Sequence, residues 1–262
     1  MEVLIFIIGA SVGSFLNVLI DRLPNNKSIT GRSHCDYCKK KLAWFDLIPV
    51  FSFLFLKGRC RYCKKKLSFQ YPLIEILTGL IFFFIFNFQF KIFIEFSIFN
   101  FQFLKLIILL GIVSCLIVIF VSDLKYHLIS DYILIACGVF SALFHLTNSN
   151  QFQLILTTFL PSGLIVALPI FLIYFISHER AMGLGDVYLA AIIGFLLGWK
   201  EGFLAIYIAF ITGAIIGLIL IFLNKKKIKS KIAFGPFIVI GTVVMLFYGD
   251  KVFGMIRKIY GL

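Results

Sequence analysis

The chain has 262 residues, of which 61% are hydrophobic and only 14% are charged, and its formal net charge is +13. This composition excludes a water-soluble domain of this length, because the apolar residues form long uncharged runs of the kind that cross a membrane. The positive charge is concentrated between these runs. It is therefore explained by membrane topology, with attraction to anionic membrane lipids as a second explanation, and it requires no nucleic-acid partner.

Eight apolar runs predict an all-α polytopic membrane protein with about eight transmembrane helices. A bilayer core requires about 20 apolar residues per helix, and most of the runs approach that length. Two shorter runs fit helices that are buried among others or extended by their flanks. The runs are residues 3–20, 72–90, 106–122, 132–148, 154–177, 187–199, 202–224 and 232–249.

The distribution of Lys and Arg predicts the orientation of these helices. Alternate connections, at 22–71, 123–131, 177–186 and 224–232, carry 19 of the 25 basic residues, and the other side carries 6. Basic connections face the cytoplasm, so the N-terminus is expected outside. Because the positive charge follows the first run and does not precede it, this run fits an anchor better than a signal peptide.

The connection after the first run contains two closely spaced pairs of cysteines, each within the repeated pattern C-x-Y-C-K-K-K-L. Four thiolates in paired C-x2-C motifs are typical of a structural zinc site, and the expected cytoplasmic location disfavours disulfides. The neighbouring lysines favour the thiolate forms. A redox-active dithiol pair is the alternative. The predicted zinc ligands are Cys35, Cys38, Cys60 and Cys63.

Two aspartates lie at helix boundaries on the same predicted face of the membrane. Asp123 follows the third run, and Asp186 precedes the sixth. Carboxylates at membrane depth usually indicate a polar cavity or a function. Two carboxyls held close together share a proton, so one can act as general base and the other as general acid in peptide hydrolysis. In the alternative interpretation both acids are solvated at helix ends and Asp186 caps its helix.

Two glycines accompany the second aspartate in the sequence GLGD. Gly183 and Gly185 lack a β-carbon, so they permit positive φ angles and the close approach of another backbone. A protease must place an extended peptide beside its catalytic acid, and glycines suit that task. The pattern also fits a simple helix break.

Several motifs in fixed order resemble those of the prepilin peptidases, also called type IV leader peptidases, which are GxGD membrane aspartic proteases. The resemblance extends over nearly the whole chain. It is carried by GSFLNVLIDRLP at 13–24, the four-cysteine loop, DLKYHLISD at 123–131, GLGDV at 183–187 and FGPFIVIG at 234–241. The chain departs from the family pattern at Tyr188, Ser130 and Ala233, which leaves the subsite geometry open.

The resemblance implies a bifunctional enzyme of the bacterial inner membrane. Such an enzyme cleaves the leader of type IV prepilins or pseudopilins at the cytoplasmic face and then methylates the new N-terminal amine with S-adenosylmethionine. Asp123 and Asp186 match the catalytic pair of the family.

The resemblance also implies a division of the chain into three parts. Residues 1–90, with two spans and the zinc loop at 21–72, are associated with methylation. A six-span protease region occupies 104–249, and a short tail on the outer side occupies 250–262.

The S-adenosylmethionine site has no recognisable motif, because the chain lacks a glycine-rich nucleotide fingerprint. Asn17, Arg22 and Glu75 are polar residues near the membrane edge and are weak candidates for this site, with interface anchoring as the alternative. His127 and His178 lie in the connections that carry the two acids. They are expected either to tune the acids or to be exposed at the interface.

Three alternative functions remain open at the level of sequence. The first is a peptidase without methyltransferase activity. The second is a non-enzymatic membrane assembly factor with a zinc-stabilised loop, and the third is a transporter that uses the two acids as a proton relay. The sequence assigns neither the pilin system that is served nor the oligomeric state.

Overall fold

A computed structural model describes residues 2–35, 37–93, 99–148, 152–179, 182–223 and 233–260. The fold is helical, as predicted. The helices are α1 (Glu2–Arg22), a 3-10 helix (Trp44–Leu47), α2 (Phe51–Phe55), α3 (Gln70–Phe93), α4 (Phe99–Tyr126), α5 (Asp131–Asn148), α6 (Phe152–Leu154), a π-helical turn (Ile155–Phe159), α7 (Leu160–Ser177), α8 (Leu184–Leu197), α9 (Trp199–Phe222) and α10 (Gly235–Tyr260).

Six of the described helices are long and apolar enough to cross a membrane, and two shorter apolar helices accompany them. The six spans are Glu2–Arg22, Gln70–Asn87, Phe103–Tyr126, Ile155–Ser177, Trp199–Phe222 and Gly235–Met255, and the shorter helices are Asp131–Thr147 and Leu184–Leu197. Each of the eight predicted runs thus corresponds to one apolar helix. The multi-pass membrane fold is confirmed. The basic segment at 224–231 lies outside the described residues.

The chain forms two compact units, residues 1–118 and 119–262, and the division falls within α4. In the first unit, α1 packs against α3. The helices approach closely because small residues lie at their crossing, as is common between membrane helices. A β-carbon added at Gly13 would lie 2.8 Å from the Cα atom of Glu75, and one added at Gly9 would lie 2.8 Å from Phe82.

The second unit is built around α8. This helix packs against α5, α7, α9 and α10, and the side chains of Leu189 and Ala190 are fully buried. With 14 residues it is about 21 Å long, which is shorter than a hydrocarbon core of about 30 Å. Because other helices surround it, α8 does not need the length of a lipid-facing span.

His145 of α5 connects that helix to α8. Its Nε2 atom lies 2.9 Å from the carbonyl oxygen of Phe195, and its ring stacks on Phe159 with a centroid distance of 3.7 Å. The last helix, α10, continues without a break through residue 260.

Candidate functional site

Asp186 lies in the first turn of α8 and is buried, with 9% of its surface exposed. Two reciprocal hydrogen bonds fix it there. The N–H of Gly183 donates to Asp186 Oδ2 at 3.2 Å, and the N–H of Asp186 donates to the carbonyl of Gly183 at 3.1 Å. Asp186 therefore does cap its helix, at the end where the macrodipole stabilises a negative charge.

Asp123 lies in the last turns of α4 and is 6% exposed. Its Oδ2 atom accepts a hydrogen bond of 2.9 Å from the backbone N–H of Gly235, the first residue of α10. Asp123 thus satisfies an otherwise unpaired donor at the start of another helix. It is not a solvated residue at the end of its own helix.

The structure brings these two carboxylates together at the ends of three helices. They lie close enough to interact electrostatically, although 63 residues separate them in the chain. Ile129, in the connection between α4 and α5, lies beside both glycines that accompany the acids. Its side-chain atoms are 3.2 Å from the place of a β-carbon on Gly185 and 3.3 Å from that on Gly235. The two acids are therefore held in one packed cluster.

The two glycines of GLGD do not use positive φ angles. Gly183 is extended, with φ −86° and ψ 158°, and Gly185 lies in α8. What matters at Gly185 is the missing side chain, since a β-carbon would press against Ile129. At Gly183 the nearest such contact is Asp186 Oδ2 at 3.8 Å, so one face of this residue is open beside the acid.

Gly235 is a site residue to which the sequence analysis assigned no role. A β-carbon at this position would lie 2.7 Å from Asp123 Oδ2, closer than side chains normally approach. Only glycine can therefore both begin α10 here and donate its N–H to the acid. The motif FGPF contains this glycine, but its partner is 112 residues away.

The two histidines lie in exposed positions next to the helices that carry the acids. His127 adopts φ 52° just after α4, donates its N–H to the carbonyl of Asp123 at 2.9 Å, and interacts electrostatically with that carboxylate. His178 ends α7 in the left-handed conformation. His127 is thus placed to influence Asp123, while His178 caps the C-terminal end of α7.

The four predicted metal ligands form one cluster in the first unit. The Sγ atoms of Cys35, Cys38, Cys60 and Cys63 all lie within 4.8 Å of one another. The distance from Cys35 to Cys63 is 3.9 Å, close to the ~3.8 Å that separates two sulfurs bound tetrahedrally at about 2.3 Å from zinc. No disulfide joins the described cysteines. The donor set and its spacing fit a tetrahedral metal ion.

The cluster is formed by two hairpins that repeat the same structure 25 residues apart. We call residues 33–42 the first knuckle and residues 58–67 the second knuckle. In each, the residue after the second cysteine, Lys39 or Lys64, adopts a positive φ angle and donates its N–H to the first cysteine's carbonyl. The sequence repeat C-x-Y-C-K-K-K-L therefore encodes a repeated fold.

The knuckles are joined by reciprocal contacts between lysines and tyrosines. The Lys40 ammonium lies 5.2 Å from the ring centre of Tyr62, and the Lys65 ammonium lies 4.6 Å from that of Tyr37. Each lysine thus covers the tyrosine of the opposite knuckle, a cation–π arrangement that reinforces the pairing.

The backbone of the second knuckle prepares one thiol, that of Cys60, for a metal, whereas burial and hydrogen bonds among the cysteine side chains raise the pKa of Cys63 to about 11. The N–H groups of Cys63 and Tyr62 lower the pKa of Cys60 to about 7, because they donate hydrogen bonds to its sulfur. The thiolate is the form that binds zinc. Cys115 and Cys137 are not part of this cluster and are buried in α4 and α5.

An ion pair connects the second knuckle to the 3-10 helix. Arg61 Nε donates to Asp46 Oδ1 at 2.7 Å, and the Asp46 side chain is only 2% exposed. The second oxygen of Asp46 accepts the N–H of Ala43 at 3.2 Å, and the Arg61 guanidinium lies 4.6 Å from the ring centre of Phe45.

The candidates for an S-adenosylmethionine site make contacts within the protein. Asn17 donates to the carbonyl of Tyr71 at 3.1 Å, and Arg22 donates to the carbonyls of Ser28 and Ile29. Asn17 therefore links α1 directly to the first turn of α3, and Arg22 holds the beginning of the connection between these helices.

Glu75 has a comparable role, because its Oε2 atom accepts the N–H of Val50 at 2.7 Å. These contacts give all three candidates structural roles, and they do not by themselves define a cofactor pocket.

Two protein-family models match this chain. Residues 7–89 match the bacterial peptidase A24 N-terminal domain, and residues 110–218 match the type IV leader peptidase family. No solved structure matches the chain.

The relatives of this chain include three proteins named prepilin leader peptidase/N-methyltransferase. The one from Bacillus subtilis is 32% identical, with 97% of each chain covered. The one from Legionella pneumophila is 29% identical over 96% of this chain and 93% of its own, and the one from Pectobacterium carotovorum is 29% identical over 98% and 93%. With both domains matched and full-length similarity of this degree, the chain belongs to the type IV leader peptidase family.

Proposed function

We propose that this protein is a membrane aspartic endopeptidase that cleaves the leader of type IV prepilins or pseudopilins and methylates the new N-terminus. The observation that carries the peptidase function is the buried pair Asp123 and Asp186. Family membership and the names of the relatives support the substrate class and the second activity.

The paired carboxylates provide acid and base from one site. Two buried acids that interact cannot easily both be ionised, so the pair holds one proton between them. The ionised member removes a proton from a water molecule, which attacks the scissile carbonyl. The protonated member polarises that carbonyl and then donates its proton to the leaving amine.

Backbone donors hold the acids in place during this cycle. Gly235 and Gly183 each donate an N–H to one carboxylate oxygen, which leaves the other oxygen of each acid available for substrate or water. Because the donors belong to helix N-termini, the acids need not reorganise as charge moves. The open face of Gly183 is the place where an extended peptide would approach Asp186.

Zinc has a structural role in this proposal. Four thiolates fill a tetrahedral coordination sphere, so no position remains for a substrate or a water. Cys35, Cys38, Cys60 and Cys63 would hold the ion and join the two knuckles into one unit. Without the zinc ion, the two knuckles would hold four unbound thiols and six lysines close together, which is unfavourable.

We assign methyl transfer to the N-terminal region on family grounds. This region matches the A24 N-terminal domain and contains the zinc cluster. S-adenosylmethionine would supply an electrophilic methyl group to the free amine. The residues that bind it are not assigned, because Asn17, Arg22 and Glu75 already have partners within the protein.

The expected location is the bacterial inner membrane, with the N-terminus outside and the acids at the cytoplasmic side. The asymmetry of 19 basic residues against 6 supports this orientation. Asp123 and Asp186 both adjoin connections on the side with more positive charge. A prepilin presents its leader on that same side.

The proposal is tested by expressing the protein with a prepilin in cells that lack their own peptidase. The mass of the intact pilin is expected to decrease by the mass of the leader and to increase by the mass of one methyl group. Full-length, unmodified prepilin in the presence of folded, membrane-inserted protein would reject the function. Cleaved but unmethylated pilin would support the peptidase alone.

A further inference from the structure

The segment between the two knuckles, together with Phe69 after the second knuckle, exposes several large apolar side chains. Trp44 is 78% exposed, Phe55 is 82% exposed, and Phe69, just before α3, is 79% exposed. Phe51 and Leu54 of α2 are also exposed. Large apolar side chains clustered in this way on a water-facing loop are unfavourable, so this patch indicates a surface that another apolar phase covers.

Two contacts fix this patch beside the first turns of α3. Val50, which precedes α2, donates its N–H to Glu75, and the ring of Phe53 lies 5.3 Å from that of Phe69 in an edge-on arrangement. Glu75 is the sixth residue of a membrane-spanning helix, about 7.5 Å along its axis from Gln70. The beginning of α2 therefore lies beside the first two turns of this span, where the membrane boundary is expected.

The contact with Glu75 is a specific one. Val50 is β-branched and adopts φ 63°, a conformation that such residues rarely take. Glu75 is buried, so its carboxylate requires a donor. The strained backbone of Val50 supplies that donor and fixes the direction in which α2 leaves α3.

The flanks of the patch carry the chemistry of a lipid interface. Lys57 and Arg59 follow α2 directly and are exposed. Tryptophan and phenylalanine next to basic residues are typical of segments that lie in the headgroup layer of anionic membranes. A partner protein with an apolar surface would explain the exposed aromatic side chains. It would explain neither the basic residues beside them nor the position of α2 at the expected membrane boundary.

We propose that Trp44, Phe51, Leu54, Phe55 and Phe69 insert into the headgroup region of the bilayer as an interfacial anchor. Residues 44–57 then hold the second knuckle at the membrane surface, because Arg61 binds Asp46 within the anchored segment. This inference depends only on the membrane-spanning character of α3 and not on the peptidase function.

Tryptophan fluorescence tests the proposal, since the chain has only two tryptophans, Trp44 and Trp199. Trp199→Phe leaves Trp44 as the reporter. A second variant, with Trp44→Phe, Trp199→Phe and Phe55→Trp, places the reporter on α2. Each full-length protein is placed in nanodiscs with a tryptophan-free scaffold, and quenching by iodide is compared with quenching by brominated lipid.

Both reporters are expected to be quenched severalfold more by bromine near the headgroup than by bromine near the acyl-chain end. Iodide should quench them severalfold less than it quenches free N-acetyltryptophanamide. Strong quenching by iodide with none by brominated lipid would overturn the anchor. Protection from both quenchers would also overturn it, because protein would then cover the patch.

A variant of α2 provides a second measurement. Phe51→Ser, Leu54→Ser and Phe55→Ser, combined with Trp199→Phe, should increase iodide quenching of Trp44 severalfold. Zinc content equal to that of the parent shows that the knuckles are still folded. If zinc is retained and quenching by both agents is unchanged, Trp44 does not depend on the anchor and the proposal fails.

Discussion

Gly235 donates its backbone N–H to the carboxylate of Asp123 across 112 residues of sequence, with an N···O distance of 2.9 Å. This bond joins the start of α10 to the last turns of α4. Asp186 is held in the equivalent way by Gly183 at the start of α8. Each acid of the candidate site thus receives a hydrogen bond from the backbone of a glycine at a helix N-terminus.

Replacing Gly235 by alanine is expected to damage cleavage. The new β-carbon would lie 2.7 Å from Asp123 Oδ2, so either the acid or α10 must move. A displacement that costs about 1–3 kcal/mol should lower the cleavage rate by about ten- to a hundredfold. The measurement is the rate of leader removal from a purified prepilin in detergent or nanodiscs.

Gly254→Ala is the matched control, because Gly254 lies in the same helix with open space around it. This change should leave cleavage intact and slightly stabilise the helix. Equal rates for the Gly235→Ala and parent enzymes would show that the contact with Asp123 is not required.

Metal content tests the cysteine cluster. Purified protein is expected to contain about one zinc ion per chain. Cys60→Ser should remove it, since the ion would lose a thiolate that the backbone of the second knuckle stabilises. Cys115→Ala should leave the zinc content unchanged, because Cys115 is buried in α4 and is not part of the cluster. Elemental analysis that finds no metal in active protein would contradict the assignment.

Arg61→Ala is expected to weaken the zinc loop. The substitution leaves the Asp46 carboxylate, which is almost fully buried, without its cationic partner, at a cost of about 1–3 kcal/mol. Zinc transfer to a chelator should therefore become about tenfold faster or more.

Arg59→Ala, an exposed position two residues earlier, provides the control for loss of positive charge. If both variants lose zinc at the same rate, charge and not the ion pair with Asp46 determines the stability of the loop.

Much of the fold could be predicted because membrane helices are specified locally. Hydrophobic length alone predicts the helices, including the two short ones. Other helices surround α8, as one interpretation of the short runs expected, whereas α5 packs mainly against α8 and exposes Tyr132 and Ile135. The repeat of C-x-Y-C-K-K-K-L likewise predicted a paired arrangement of cysteines, since both halves carry the same turn chemistry.

The remaining features depend on contacts that sequence spacing does not encode. The motifs FGPF and DLKYHLISD both stand out in the sequence, but nothing local indicates that Gly235 bonds to Asp123. The same holds for Val50 and Glu75, which are 25 residues apart. The short α2 was not predicted either, because five residues give no usable helical periodicity.

The central claim is that Asp123 and Asp186 act together in peptide cleavage, and the N-terminal mass of pilin made with single Asp→Asn variants tests it most directly. Asparagine keeps the size of the side chain but cannot share or transfer the proton, so either variant should cleave at least about a hundredfold more slowly than the parent. The same purified variants should still transfer a methyl group from S-adenosylmethionine to a pilin that is already cleaved. Prepilin accumulating with its leader intact, beside normal methylation of cleaved pilin, is the predicted result. Normal leader removal by a folded Asp186→Asn or Asp123→Asn enzyme would contradict the account.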